Sequence, residues 1–364
     1  MRVSEIETPA VIVDLDVIDR NLSRMAEYCR GKNLNLRPHT KTHKIPELGK
    51  LQLAGGACGI TVAKIGEAEV MVEAGITDIL IAYPLVGVGK RERLAKIARE
   101  AKISVSLDSE EVARAISNEL KSRDANIAVL IEVDVGFRRC GVGTADEVLT
   151  LAQKVSELPN LDFRGLMFFP GHFQVPADER AALLPPVNDL LRESLSKLER
   201  AGISVSTVSG GSTPTAREGH LFHGVNEIRP GMYIFNDRNM VGLGIAQLED
   251  CALSVLTTVV STSVEGRAVI DGGSKTFAND RHQAGNGKGF GIVREDPDGE
   301  LEALSEEHGH LNTRNSTYDY RVGKRLTIIP NHCCSTVNMH DEIYGVRNGA
   351  VEVIWSIKGR GKVR

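Results

Sequence analysis

Between residues 34 and 208 the chain repeats one pattern: a short apolar run, a helix-like stretch, another apolar run. The runs fall at 34–37, 59–62, 79–82, 103–107, 127–133, 163–168 and 205–208. The intervening stretches at 45–54, 65–74, 90–101, 109–123, 145–157 and 185–201 have helical character. Gly75 and Gly202 stand just past two of these stretches, where a helix end favours glycine. Buried β-branched runs alternating with helices predict a parallel sheet covered on its faces. With an eighth strand at 226–229 the pattern fits a closed (β/α)8 barrel, and an open doubly wound sheet is the alternative. An earlier run at 10–14, followed by an amphipathic stretch at 17–29, reads as the way into this domain.

After about residue 231 the texture changes. Runs at 253–262, 267–271, 325–329 and 350–355 read as strands joined by turns, and glycines and charges cluster at 285–291 and 296–300. The reading is an α/β chain with a barrel over 10–232 and a mostly β domain over 233–364, which residues 1–9 join. Of the 364 residues 41% are hydrophobic and 25% charged, enough for two cores. A net charge of −4 leaves no footprint for nucleic acid or an anionic membrane. Residues 1–9 lack a basic segment ahead of an apolar one, no run approaches the length of a membrane helix, and the six cysteines form no C-x-x-C pair. A cytoplasmic protein is expected.

Chemistry is expected at the C-terminal ends of barrel strands. The first end is Leu36-Arg37-Pro38-His39-Thr40-Lys41-Thr42-His43-Lys44, dense in bases. A lysine amine, with an ordinary pKa of about 10.4, becomes a nucleophile where burial or nearby cations lower that value. A solvated basic loop has the same composition. Later ends carry Asp134-Val135-Gly136-Phe137-Arg138-Arg139-Cys140-Gly141, Phe169-Pro170-Gly171-His172, Ser209-Gly210-Gly211-Ser212-Thr213 and Arg229-Pro230-Gly231-Met232. Glycine-exposed amides in a late barrel loop cradle phosphate, although an ordinary turn reads alike. A lysine, an anion cradle and an arginine on different strand ends are together what pyridoxal phosphate requires.

These motifs, with Pro330-Asn331-His332-Cys333-Cys334, resemble those of fold-type III pyridoxal-phosphate enzymes. Within them the chain resembles the D-serine dehydratase and D-threonine aldolase group, relatives of alanine racemase. The resemblance spans nearly the whole chain. It implies a TIM-like barrel, with Lys41 rather than Lys44 as the Schiff-base lysine and His39 beside it. Arg139 would face the cofactor's phenolic oxygen, and Arg229 would take the place opposite the pyridine nitrogen. Gly210, Gly211, Ser212 and Thr213, with Gly231 and Met232, would hold the phosphate.

His332 and Cys334 alone read equally well as buried side chains of a β core. The resemblance makes them metal ligands, with Cys333 as packing. Imidazole plus thiolate suits Zn2+, whereas a harder His-x-Asp pair, as in the aldolases, suits Mn2+ or Mg2+. Asp271 and Glu307-His308-Gly309 fall at supporting positions. The implied reaction is dehydration and deamination of a D-β-hydroxy-α-amino acid, with aldol cleavage as the alternative and His172 as a base for it. An amino-acid racemase, drawing a base from Tyr318, Tyr320 or Tyr344, and a non-catalytic cofactor carrier are further readings. A homodimer is implied.

Overall fold

The computed structural model describes residues 1–283, 288–296 and 298–364, so part of the glycine cluster at 285–291 and Pro297 lie outside the described residues. The chain divides into two compact units, one formed by residues 25–231 and 361–364, the other by 1–24 and 232–360.

The first strand, β1 (Ala10–Asp14), corrects the expected barrel boundary at residue 10: it belongs to the second unit. It pairs antiparallel with a strand at 253–261 and parallel with one at 342–347. A run of four apolar residues, Ala10 to Val13, looks alike in either sheet, and its partners lie more than 200 residues away. Helix α1 (Leu15–Lys32) follows it.

The barrel unit carries eight parallel strands: β2 (Asn35–Leu36), β3 (Ile60–Val62), β4 (Asp78–Ile81), β5 (Lys102–Leu107), β6 (Ile127–Val133), β7 (Leu161–Phe168), β8 (Thr207–Gly210) and β9 (Glu227–Ile228). Helices α2 (Pro46–Ala54), α3 (Ile65–Glu73), α4 (Val88–Ile97), α5 (Glu110–Ser122), α6 (Ala145–Glu157) and α7 (Ala177–Arg200) alternate with them. The sheet runs β2-β9-β8-β7-β6-β5-β4-β3, and its two edges meet. The seam is a single parallel bridge, His39 to Thr61, flanked by Cys58 N–H to Leu36 C=O (2.9 Å) and Thr61 N–H to Pro38 C=O (2.8 Å). The barrel therefore closes through the segment that delivers Lys41, and an open sheet is excluded.

Helix caps are those the sequence advertises. Ser109 accepts the Val112 N–H, and Thr144 forms a reciprocal capping box with Glu147. Helix α7 starts eight residues before the expected Pro185, and Pro185 and Pro186 lie inside it. Burial of Val187, Leu191 and Leu198 in the barrel's core, with Leu183 and Leu184 packed against it, holds the helix through its missing N–H groups.

The second unit is a nine-stranded sheet: β10 (Leu253–Ser261), β11 (Arg267–Ile270), β12 (Gly291–Val293), β13 (Glu300–Leu304), β14 (Gly309–Asn312), β15 (Arg325–Pro330), β16 (Glu342–Arg347) and β17 (Ala350–Ser356), with β1 inserted. Strands β11-β14-β13-β12-β15-β10 form a closed ring because β10 also pairs with β11, and β1, β16 and β17 extend it. The sequence reading found β10, β11, β15 and β17. It missed β12, β13, β14 and β16, which are short and interrupted by glycine or charge. Short helices α8 (Arg238–Gly242), α9 (Ser274–Phe277) and α10 (Cys333–Val337) connect the strands. Among the described residues no helix is long and apolar enough to cross a membrane.

Candidate active site

The turn after β2 sorts its four bases. His43 is fully buried: its Nδ1 accepts the Ile45 N–H (3.0 Å), so Nε2 donates to Gln52 (3.2 Å). Lys44 is buried too, with Nζ 3.2 Å from Glu67, whose second oxygen accepts the Ala63 N–H (2.7 Å). Both serve structure. Lys41 is exposed in a one-turn helix, Thr40–Thr42, which His39 caps by accepting the Lys41 N–H (3.4 Å). Burial, then the charges of Lys41, Arg229 and Arg139, hold the His39 imidazole well below the ordinary histidine range.

Three more strand ends converge on the same region. The Arg139 guanidinium, after β6, lies 4.5 Å from the centre of the Phe169 ring, and Lys41 Nζ lies 5.9 Å from that ring. Arg139 Nη2 is also 4.0 Å from Glu132, a carboxylate buried in the apolar strand β6. Burial pushes the Glu132 carboxyl up, and the opposing pull of Arg139 and Arg229 does not fully cancel this. Phe137 meets Phe169 edge to face at 5.4 Å. A Cβ at Gly171 would come within 2.7 Å of both rings, which explains the glycine there. His172 packs its ring on Phe173 (4.8 Å), and its buried Nδ1 has no hydrogen-bond partner among the described residues. Desolvation lowers its pKa despite Asp134, leaving a neutral imidazole able to accept a proton.

The loop after β8 is rich in glycine and hydroxyls. Gly211 sits at φ +91°, a conformation that L side chains resist, and the Ser212 N–H is turned onto Thr215 Oγ1 (3.0 Å). Thr213 Oγ1 accepts the Gly231 N–H (3.2 Å), and a Cβ on Gly231 would fall 2.7 Å from Thr42 Oγ1. Gly210 answers a packing need instead: a Cβ there would strike the Phe168 ring at 2.2 Å. Met232 belongs to the second unit, where its carbonyl accepts the Phe235 and Asn236 N–H groups.

Arg229, after β9, is 5% exposed and held by two hydrogen bonds, Nη1 to Ser209 Oγ (2.6 Å) and Nη2 to Phe168 C=O (2.8 Å). Ser209 donates onward to Glu227 (2.5 Å), which also accepts from Arg37 (2.7 Å). Burial pulls the Arg229 guanidinium down to about 10, still charged at neutral pH. Lys41, Arg139 and Arg229 thus give the barrel mouth a positive cluster that Glu132 only partly offsets. An exposed lysine, an aromatic face, a glycine-backed loop and surplus cations fit a flat anionic cofactor such as pyridoxal phosphate.

In the second unit His332 and Cys334 lie at one turn. His332 is extended and precedes α10, while Cys333 and Cys334 occupy the first turn of that helix. His332 Nδ1 meets Asp280 at 2.5 Å, and Ser335 Oγ donates to the same carboxylate (2.6 Å). Burial works against an imidazolium here, but Cys334, Asp280 and Asp237 outweigh it and carry His332 up to about 11. Asp280 thus holds Nδ1 and orients the ring, an outer-shell arrangement typical of ligating histidines; a metal at Nε2 would have to displace the proton there. Cys333 is fully buried and its N–H donates to Asp237 (3.0 Å), as expected of a packing residue. Among the described residues no three His, Cys, Asp or Glu side chains converge as a ligand set, so His332 and Cys334 stand as a pair. Asp271 accepts from Thr8 and Thr258, and Glu307 pairs with Lys275, so both are tied to structure.

Sequence reasoning missed Glu132, Glu227 and Asp280 as contributors, and gave Phe169 a place at a strand end without a role. An acidic residue inside the run Ile127-Ala128-Val129-Leu130-Ile131-Glu132-Val133 was a visible signal. Glu227 and Asp280 carried none, because their partners lie far away along the chain.

Two family descriptions cover the chain: alanine racemase, N-terminal domain, matches residues 13–239, and putative serine dehydratase domain matches 252–346. The chain belongs to the alanine racemase N-terminal-domain family. Pyridoxal phosphate is the cofactor of this family. A D-threonine aldolase from Arthrobacter sp. is 34% identical, covering 98% of this chain and 94% of that protein. A D-threo-3-hydroxyaspartate dehydratase from Delftia sp. is 33% identical, covering 91% and 92%. The crystal structure of D-threonine aldolase from Filomicrobium marinum superimposes with a TM-score of 0.93 at 34% identity, covering 100% of this chain and 98% of that one. A D-threo-3-hydroxyaspartate dehydratase variant has been solved in its metal-free form; it matches with a TM-score of 0.88 at 30% identity, over 98% of each chain.

Proposed function

We propose that this lyase removes water and then ammonia from a D-amino acid bearing a β-hydroxyl, with Lys41 carrying pyridoxal phosphate at the barrel mouth. Bound there, the cofactor supplies the electron sink for a carbanion at Cα. The chain's own residues do the rest. Lys41 is the amine that stands free once substrate has replaced it, and it takes the α-proton. Arg139 and the Gly210–Thr213 loop orient the cofactor's anionic groups, and Phe169 excludes water from one side of the two cations. Loss of the β-hydroxyl as water gives an enamine, whose hydrolysis yields a 2-oxo acid and ammonia.

The observation favouring dehydration is the His332/Cys334 pair oriented by Asp280. One imidazole and one thiolate suit Zn2+ and leave open positions, and a metal held there would supply Lewis-acid activation of a departing hydroxyl. The metal-free form described for the dehydratase supports a metal in such enzymes. A second reading, cleavage of the Cα–Cβ bond to glycine and an aldehyde, is favoured by the TM-score of 0.93 to a D-threonine aldolase. In it His172, neutral and with a bare Nδ1, takes the β-hydroxyl proton. The reading includes a homodimer, checked by sedimentation, and a reducing compartment, supported by six cysteines without a disulfide.

The test is product analysis with D-threonine on protein loaded with pyridoxal phosphate and Zn2+. Dehydration gives 2-oxobutyrate and ammonia. Glycine and acetaldehyde would transfer the assignment to the second reading.

A further inference from the structure

A continuous chain of charge-bearing hydrogen bonds runs through the barrel unit and ends at Arg229. Asp78 accepts from Arg37 Nη1 (2.6 Å), Arg37 Nε donates to Glu227 (2.7 Å), Ser209 donates to Glu227 (2.5 Å), and Arg229 Nη1 donates to Ser209 (2.6 Å). Its direction is fixed by chemistry. Arginine only donates, so Ser209 Oγ must accept from Arg229 and pass its own proton toward Glu227. One carboxylate oxygen of Glu227 then takes the serine and the other takes Arg37. Glu227 and Ser209 are only 4% and 0% exposed, so these bonds are shielded from water.

We infer that Glu227 is a positioning residue, which through the Ser209 hydroxyl locks the Arg229 guanidinium in the barrel mouth. The inference rests on the reading of that mouth as the cofactor site. Arg229 acts electrostatically on His39 and Glu132, each of which also feels Arg139, and His39 feels Lys41 as well. A locked cation there fixes the electron demand of a bound heteroaromatic ring. A mobile one samples several positions and fixes nothing.

The decisive variant is Ser209→Ala, which cuts the relay and leaves the Arg37–Glu227 ion pair whole; Ser209→Thr restores the hydroxyl. In the cofactor-free protein, the Arg229 Nη1–H, assigned by its loss in Arg229→Lys, is followed by 15N NMR for solvent exchange. We expect slow exchange in the parent and in Ser209→Thr, and fast exchange in Ser209→Ala. On adding pyridoxal phosphate, the absorption band and its pH titration should move in Ser209→Ala and stay at the parent position in Ser209→Thr. Its kcat should fall about tenfold to a hundredfold, the equivalent of one hydrogen bond to a charged group, with KM little changed. Glu227→Gln should show the same spectral shift. Protected Arg229 exchange in Ser209→Ala, or an unmoved band beside a normal parent band, overturns the inference alone. A parent chain that takes up no pyridoxal phosphate overturns the inference together with the cofactor reading.

Discussion

The barrel mouth and the His332 turn solve opposite electrostatic problems by opposite means. At the mouth, Lys41, Arg139 and Arg229 come from the ends of three strands that are remote in sequence, and the local charge is positive. At the turn, His332 and Cys334 come from one five-residue stretch, and the supporting groups Asp280 and Asp237 are acidic. The first asks for an anion and the second for a cation. A site assembled from several strand ends inherits its geometry from the barrel, whereas a site on one turn depends on the few side chains that brace it. Damage to the mouth should therefore separate chemistry from folding, and damage to the turn should appear first as lost metal affinity.

The largest contrast lies within the mouth itself. Lys41→Ala should abolish turnover, by at least about 10⁴-fold, with the melting temperature nearly unchanged. Lys44→Ala should do the reverse, because Glu67 would be left as a buried unpaired carboxylate at a cost of roughly 3–5 kcal/mol. Thermal unfolding beside activity per folded molecule checks both. Next in size, chelation or Cys334→Ala should remove activity while leaving the cofactor band, and added Zn2+ should restore only the chelated protein. Asp280→Asn should weaken Zn2+ binding about ten- to a hundredfold, as measured by competition with a chromogenic chelator.

The smallest effect is a pH dependence. Burial raises Glu132 above its ordinary value of 4.5, so the folded state keeps this proton to higher pH than the unfolded chain does. The stability that Glu132 contributes is complete below the unfolded value and falls away as pH rises through the folded one. Urea titrations of Glu132→Gln should therefore lose less stability than the parent as pH rises from about 4.5. Equal slopes would show that Arg139 and Arg229 offset the burial of Glu132 completely.

What the sequence disclosed follows the same division. The barrel was legible because each strand–helix unit carries its own local signals, and because every candidate group named for it stands near a strand end. The resemblance named Lys41; the structure pairs the neighbouring Lys44 with Glu67 and leaves Lys41 exposed. The braces were not legible: Glu227 reaches Ser209 across 18 residues and Arg37 across 190, and Asp280 reaches His332 across 52. The misplaced strand β1 belongs with them, since an apolar strand does not state which sheet it joins.

Borohydride reduction of the cofactor-loaded protein, followed by digestion and mass mapping, tests the central claim most directly. The account predicts a single pyridoxyl group on Lys41, absent from Lys41→Ala and still present in Lys44→Ala. Label on Lys44, or on no lysine of this turn, would contradict it.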